Sequence, residues 1–175
     1  MADVRGYTKL TERLSPLEVP QLANRFYEAG SKAMLSADGL LGQIEGDLVM
    51  GLFVPGLAGK QTYRRKAVEA AFNLMRAVGY GEPDGNWLDV GIGIATGEEF
   101  VGNVGGGGYK DFTALGDVTN TAARLSSAAS AGEVLVDAES YAAVAGEFAH
   151  GEWRALELKG KAATVEAVAI SFRTD

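Results

Sequence analysis

Residues 111–124 constrain the fold more than any other part of this sequence. They read as a short strand, a tight turn at Gly116-Asp117 and the start of a helix. The carboxylate of Asp117 predicts a helix N-cap, because it can accept hydrogen bonds from the free amides of the first turn. The chain is therefore expected to place a strand end and a helix start next to each other here.

Asn120 and Arg124 follow in that helix, four residues apart, so both side chains leave from one face. A forked guanidinium and an amide on one rigid element suit the recognition of a phosphate and a neighbouring sugar oxygen. The same pair also fits the solvated face of an ordinary amphipathic helix. This segment alone leaves both interpretations open.

Composition indicates one globular domain and excludes several kinds of site. A chain of 175 residues, 47% hydrophobic and 22% charged, is long enough to bury a core and too apolar to be disordered. Without cysteine it has neither disulfides nor thiolate metal sites, and a single histidine excludes a histidine cluster. That histidine, His150, is interpreted as a surface loop residue.

The net charge of −7 argues against general binding to nucleic acid or to an acidic membrane. Any polyanionic ligand must then be held by a local site or by bound cations. No apolar run of membrane-spanning length and no signal peptide is recognised, which predicts a cytoplasmic domain.

Hydrophobic periodicity predicts an α+β fold, with hairpins among irregularly alternating strands and helices. The chain starts with the end of a strand, expected to be truncated, that turns through Gly6 towards a helix. The glycine-rich strand 88–94 predicts a close approach by another backbone. The other expected elements are helices 15–37, 63–78 and 138–145, hairpins 40–44/48–54, 99–104/109–114 and 153–158/164–172, and strand 133–136.

Two glycine-rich stretches lack the pattern of phosphate-binding loops. Val54 stands where the first glycine of a P-loop belongs and Gln61 follows Lys60, so residues 56–62 are interpreted as a loop before a helix. The four glycines 105–108 lack the helix and lysine of a nucleotide loop and predict a hairpin tip. The basic triplet 64–66 is interpreted as a solvated helix face.

Four motifs, taken in order, resemble those of the class III nucleotide cyclase catalytic domain. Each is weak by itself, but their order and spacing match nearly from end to end of the chain. The motifs are Asp3-x-x-Gly6-Tyr7-Thr8, Gly46-Asp47, the segment 111–124 with its Gly-Asp, Asn120 and Arg124, and Leu158-Lys159-Gly160-Lys161.

The resemblance implies a ferredoxin-like core with a twisted, mainly antiparallel sheet flanked by helices, in a single domain over residues 1–175. It also implies a head-to-tail homodimer with two shared sites, in which a monomer is inactive. ATP or GTP would be converted there to the 3′,5′-cyclic nucleotide and pyrophosphate, with two Mg²⁺ or Mn²⁺ ions per site.

Site residues follow from the same resemblance. Asp3, Asp47 and the carbonyl of Val4 would hold the metals, and the other chain would supply its residues from the opposite side. The amides of Gly6, Tyr7 and Thr8 would meet the terminal phosphates, Asn120 would orient the ribose, Arg124 would stabilise the α-phosphoryl group, and Lys159 would bind the triphosphate end.

Two positions depart from the adenylate cyclase pattern and bear on base recognition. Gln43 stands where that pattern has lysine, and Thr113 where it has aspartate. An amide both donates and accepts, so Gln43 can read either purine. We expect ATP over GTP with reduced selectivity. The alternative is a catalytically silent nucleotide-binding or dimerisation module.

Overall fold

The computed structural model describes residues 1–108, 110–157 and 164–172, and confirms the α+β class. The strands are β1 (Ala2–Val4), β2 (Leu40–Glu45), β3 (Leu48–Leu52), β4 (Val90–Ile94), β5 (Phe100–Val104), β6 (Asp111–Leu115), β7 (Val134–Asp137), β8 (Phe148–Leu156) and β9 (Val165–Phe172). The helices are α1 (Tyr7–Thr11), α2 (Glu18–Leu35), α3 (Pro55–Ala58), α4 (Tyr63–Ala77), α5 (Asp117–Ala128) and α6 (Ala138–Ala142).

Seven strands form one sheet in the order β2-β3-β1-β4-β7-β9-β8, and β5 and β6 form a separate hairpin. Within the large sheet only β4 and β7 pair in parallel; the other pairs are antiparallel. The short β1 lies between β3 and β4, with Asp3 opposite Leu48 on one side and Gly91 on the other. The first strand of the sequence is thus near the middle of the sheet.

The sheet separates two apolar layers, because successive side chains of a strand point to opposite faces. In β7, Val134 and Val136 belong to the main core with α2 and α4, whereas Leu135 packs with Leu125 and Ala129 of the α5 region. Helix α5 therefore covers the face opposite α2 and α4.

Close contact between α5 and β4 confirms what the glycines of strand 88–94 predict. A Cβ at Gly93 would lie 2.1 Å from the Ser126 amide nitrogen and 2.4 Å from the Ala122 carbonyl oxygen. No side chain larger than hydrogen fits in that space. The helix backbone consequently rests on the strand backbone itself.

Three expectations about local structure are wrong. The expected loop 56–62 overlaps the short helix α3. The basic triplet is not simply solvated, since Arg64 pairs with Glu139 and Lys66 with Asp38, with only about a quarter of each basic side chain exposed. His150 lies in strand β8 rather than in a loop, although it is exposed.

Candidate active site

A groove beside β1 gathers the residues of the first two motifs. Its lining comprises Asp3, Val4, Arg5, Gly6, Tyr7, Thr8, Lys9 and Asp47. Antiparallel pairing explains the arrangement: Asp3 is opposite Leu48, and the Val4 amide donates to the carbonyl oxygen of Asp47 at 3.0 Å. Gly6, with φ of 66°, then turns the chain into α1. Two carboxylates distant in sequence thereby share one groove.

The electrostatics of the groove favour a cation. Burial raises the pKa of Asp3; the Arg5 guanidinium counteracts this, but the negative charge of Asp47 adds to it and the net shift is upward. Among the residues that the structure describes, no three acidic or histidine side chains cluster as a metal site. The groove thus offers two carboxylates, a donor type suited to Mg²⁺ or Mn²⁺ when substrate phosphates complete the shell.

Tyr27, which belongs to none of the four motifs, holds the turn that carries Asp47. From α2 its hydroxyl donates to the Gly46 carbonyl oxygen at 2.6 Å. Gly46 itself has φ of 59°, a left-handed conformation that glycine adopts without strain. The only sequence signal for Tyr27 was its place beside the buried Phe26.

The α5 face, defined here by Asn120 and Arg124, lies elsewhere. Asn120 is exposed and Arg124 is partly buried, and neither lines the groove of Asp3 and Asp47. The Nη1 atom of Arg124 is shielded from solvent and has no hydrogen-bond partner among the described residues. An unpaired shielded donor costs free energy, which a bound anion would recover.

The start of α5 corrects the prediction that Asp117 is its N-cap. Asp117 is the first helical residue and Gly116 occupies the cap position. The carboxylate that accepts from the first turn belongs to Glu99, which binds the Thr119 amide at 2.9 and 3.1 Å and the Thr119 hydroxyl at 2.7 Å. A residue before β5 therefore fixes the helix that carries the α5 face.

The two base-recognition candidates lie on strands that contact each other, β2 and β6. Gln43 is exposed and its amide donates to Glu45 at 3.0 Å. Thr113 is buried, and its hydroxyl makes only a long 3.5 Å bond to the Ala114 carbonyl oxygen. Lys159, the fourth motif's candidate, lies outside the described residues.

A second cavity, of about 490 Å³, has Glu99 and the α5 residues Val118 and Ala122 in its lining. It is bounded by β3, β4 and α4 and by one face of the β5–β6 hairpin, through residues such as Gly51, Ile94 and Val101. None of the predicted site residues that the structure describes lines it. Sequence reasoning gave no sign of this space.

Comparison with known proteins decides the family. The model of the adenylate and guanylate cyclase catalytic domain family matches residues 1–171. The chain belongs to this family. Among curated relatives, an adenylate cyclase of Anabaena cylindrica is 32% identical over 126 residues, which are 70% of this chain and 25% of that protein. The cyclase domain thus spans about a quarter of the length of this relative.

Solved structures agree on the fold. The adenylyl cyclase CyaB of P. aeruginosa aligns with a TM-score of 0.87 at 28% identity, covering 99% of this chain and 92% of that one. The guanylate cyclase domain of RhGC from Catenaria anguillulae, solved with GTP, aligns at 0.86 with 20% identity, covering 99% and 94%. At that identity the second likeness shows the fold alone. None of the helices in the described ranges is long and apolar enough to cross a membrane.

Proposed function

We propose that this cyclase domain converts ATP, and GTP less efficiently, to the 3′,5′-cyclic nucleotide and pyrophosphate. The observation that carries the proposal is the convergence of Asp3 and Asp47 in one groove beside Gly6, Tyr7 and Thr8. In the reaction the ribose 3′-oxygen forms a bond to the α-phosphorus, its proton passes to solvent, and the bond to the β-phosphate oxygen breaks.

Asp3, Asp47 and the carbonyl of Val4 would hold two Mg²⁺ or Mn²⁺ ions, which activate the 3′-hydroxyl and neutralise phosphate charge. The donor set fits this role, because burial disfavours the charge of the Asp3 carboxylate and a bound cation would offset that cost. The backbone amides of Gly6, Tyr7 and Thr8, at the turn after β1, would bind the terminal phosphates.

Asn120, Arg124 and Lys159 would reach this groove from a second copy of the chain. Arg124 supports the assignment, since its shielded Nη1 lacks a partner and its fork suits a crowded phosphoryl group. Asn120 would orient the ribose and Lys159 would bind the leaving triphosphate end. Because the α5 face lies outside the groove of its own chain, a two-fold dimer would bring the halves together.

The hairpin of β5 and β6 supports dimer formation. Phe100 and Leu115 pair directly across the hairpin, so their side chains share one face, and they are 55% and 52% exposed. Adjoining exposed apolar side chains on a small domain are typical of a protein interface. The hairpin also leads into α5, so an interface here would lie next to the α5 face.

Gln43 and Thr113 would set base choice from the strands that contact each other, β2 and β6. Their amide and hydroxyl both donate and accept, so they tolerate either purine better than a lysine and aspartate would. The alternative, a silent nucleotide-binding or dimerisation module, is favoured by one observation: the Gln43 amide is bound to Glu45, which adds negative charge close to the proposed base position.

The direct test incubates the purified dimer with Mn²⁺ and either ATP or GTP and measures cyclic nucleotide and pyrophosphate. We expect product from both nucleotides, with ATP preferred. Nucleotide binding without product would support the silent module instead. An Arg65→Lys variant, changed on a surface ion pair of α4, serves as a matched control with unchanged activity.

The shared-site arrangement is tested by mixing two inactive chains, Asp47→Ala and Arg124→Ala. Half of the randomly mixed dimers contain one chain of each kind, and each of these has one intact site. Roughly a quarter of the native activity should therefore return. If the mixture exchanges subunits but stays inactive, each site is built within one chain and the dimer proposal is wrong.

A further inference from the structure

Arg5 connects the groove with α5, and the family comparison assigns it no role. Its Nη2 atom forms an ion pair with the Asp3 carboxylate at 2.7 Å. Its Nη1 atom donates to the carbonyl oxygens of Ser127 at 3.0 Å and Ala129 at 3.3 Å. Its Nε atom faces the Asp3 carbonyl oxygen at 3.3 Å. One guanidinium, 21% exposed, thus contacts both β1 and the end of α5.

The end of α5 needs such a partner. The last carbonyl groups of a helix have no amide of their own to bind, and they carry partial negative charge. The last turn of α5 contains no basic residue. Arg5 supplies that positive charge from a strand remote in sequence, at the residues that directly follow Arg124 in the helix.

We propose that Arg5 is a positioning residue that fixes the Asp3 carboxylate and the C-terminal turn of α5 relative to each other. The inference rests on the proposed function, because Asp3 and Arg124 are its functional groups. In the proposed dimer these two groups of one chain serve different sites. One Arg5 side chain would therefore order the groove of one site and the α5 face of the other.

Lysine cannot replace arginine in this position. A lysine keeps the positive charge but has a single nitrogen, which cannot reach both the carboxylate and the two helix carbonyl oxygens in the fork geometry. Arg5→Lys thus removes the connection while keeping the charge. Arg65→Lys makes the same chemical change on an exposed ion pair with Glu147 and Glu69, away from the groove and α5.

The first measurement does not need turnover. In Arg5→Lys, hydrogen exchange of the amides in residues 124–129 should become faster, and Mn²⁺ titrated into the chain should bind about 10-fold more weakly by electron paramagnetic resonance. Arg65→Lys should change neither. Native exchange and native Mn²⁺ affinity in a folded Arg5→Lys chain would overturn the proposal, whatever the enzymatic activity.

The second measurement separates the two ends of Arg5 in mixed dimers with one working site. The Arg124→Ala chain supplies the groove and the Asp47→Ala chain supplies the α5 face. Arg5→Lys in the first chain should raise the KM for Mn²⁺ about 10-fold; in the second chain it should lower kcat about 10-fold with the KM unchanged.

Outcomes in the mixed dimers are distinguishable. A parent mixture with native Arg5 that makes no product would count against the proposed function or its shared site, while the exchange and Mn²⁺ results still decide the role of Arg5. If the parent mixture is active and Arg5→Lys has the same effect in either chain, Arg5 has a purely structural role and the proposal is wrong. An effect in only one of the two chains would also overturn it, because Arg5 would then serve only one of the two sites.

Discussion

The groove and the α5 face differ in how many contacts their polar side chains make within a single chain. In the groove, strand pairing, Tyr27 and Arg5 hold every element that carries a carboxylate. On the α5 face, the buried side of the helix is fixed against β4, yet Asn120 is exposed and Arg124 has a shielded nitrogen without a partner. The first region is assembled by one chain, whereas the second presents polar groups that would suit the proposed nucleotide and second copy of the chain.

The largest expected effect is on the α5 face. Arg124→Ala should lower kcat by about 10²–10³, because it removes a donor aimed at charge that develops during the reaction. The KM for the nucleotide should change less. Steady-state cyclic nucleotide formation measures both. Arg124→Lys keeps the charge without the forked geometry, and its kcat should lie between those of the native chain and Arg124→Ala. Native turnover by Arg124→Ala would show that Arg124 has no part in catalysis.

The next largest effect concerns the contact between α5 and Gly93 of β4. Gly93→Ala should lower the free energy of unfolding by about 1–3 kcal/mol, because its methyl group would collide with the backbone of α5. Gly106→Ala, at the hairpin tip where a Cβ meets no atom within 4 Å, is the matched control and should change little. Urea denaturation measures both variants. Equal stability of the two would mean that α5 does not need this close contact.

The other end of α5 should respond more weakly. Glu99→Gln removes the charge that receives the Thr119 amide and hydroxyl, and should cost about 1 kcal/mol of stability. Its exposed neighbour Glu98, changed to glutamine, provides the control. Thermal unfolding of the two variants side by side gives the comparison. A larger loss of stability from Glu98→Gln than from Glu99→Gln would show that Glu99 is not the residue that caps α5.

The smallest effect concerns the groove. The pKa of Asp3 is raised, so the folded chain holds this proton more tightly than the unfolded chain does, and ionised Asp3 lowers stability above that raised pKa. Asp3→Asn should therefore slightly raise the Tm at pH 7, and the gain should shrink as the pH falls through the raised pKa of Asp3 and vanish below the ordinary aspartate value. A lower Tm at pH 7 would contradict this sign.

A metal control separates that effect from a general change in the groove. Mn²⁺ should raise the Tm of the native chain, because a ligand that binds only the folded state stabilises it. It should raise the Tm of Asp3→Asn much less. Equal shifts would place the ion away from Asp3.

Local patterns predicted most of the elements but few of the connections between them. The turn at Gly46-Asp47 and the alternating glycines of β4 were recognisable because turn chemistry and strand periodicity depend on neighbouring residues. Asp117 was assigned the cap because it stood beside the helix, while the true partner, Glu99, is brought there by the β5–β6 hairpin. A contact formed by folding leaves no local pattern.

The same reason explains which site residues were missed. Asp3 and Asp47 were selected through motifs and do share a groove, although their catalytic roles stay predictions. No motif assigns a role to Tyr27 or Arg5. Their hydrogen-bond partners Gly46 and Ser127 lie 19 and more than 100 residues away in the sequence. Supporting residues of this kind are brought to the site by tertiary structure, so the spacing of residues along the sequence could not predict them.

The central place of β1 has a consequence for biosynthesis. The ribosome makes β1 before both of its neighbours in the sheet, because β3 and β4 come later in the sequence, the second almost ninety residues on. Until β4 has emerged from the ribosome, the backbone edge of β1 that pairs with β4 is uncovered. That edge can then bind chaperones or pair wrongly with other nascent chains. The central part of the sheet, and with it the groove of Asp3, should thus form only after β4 has been made.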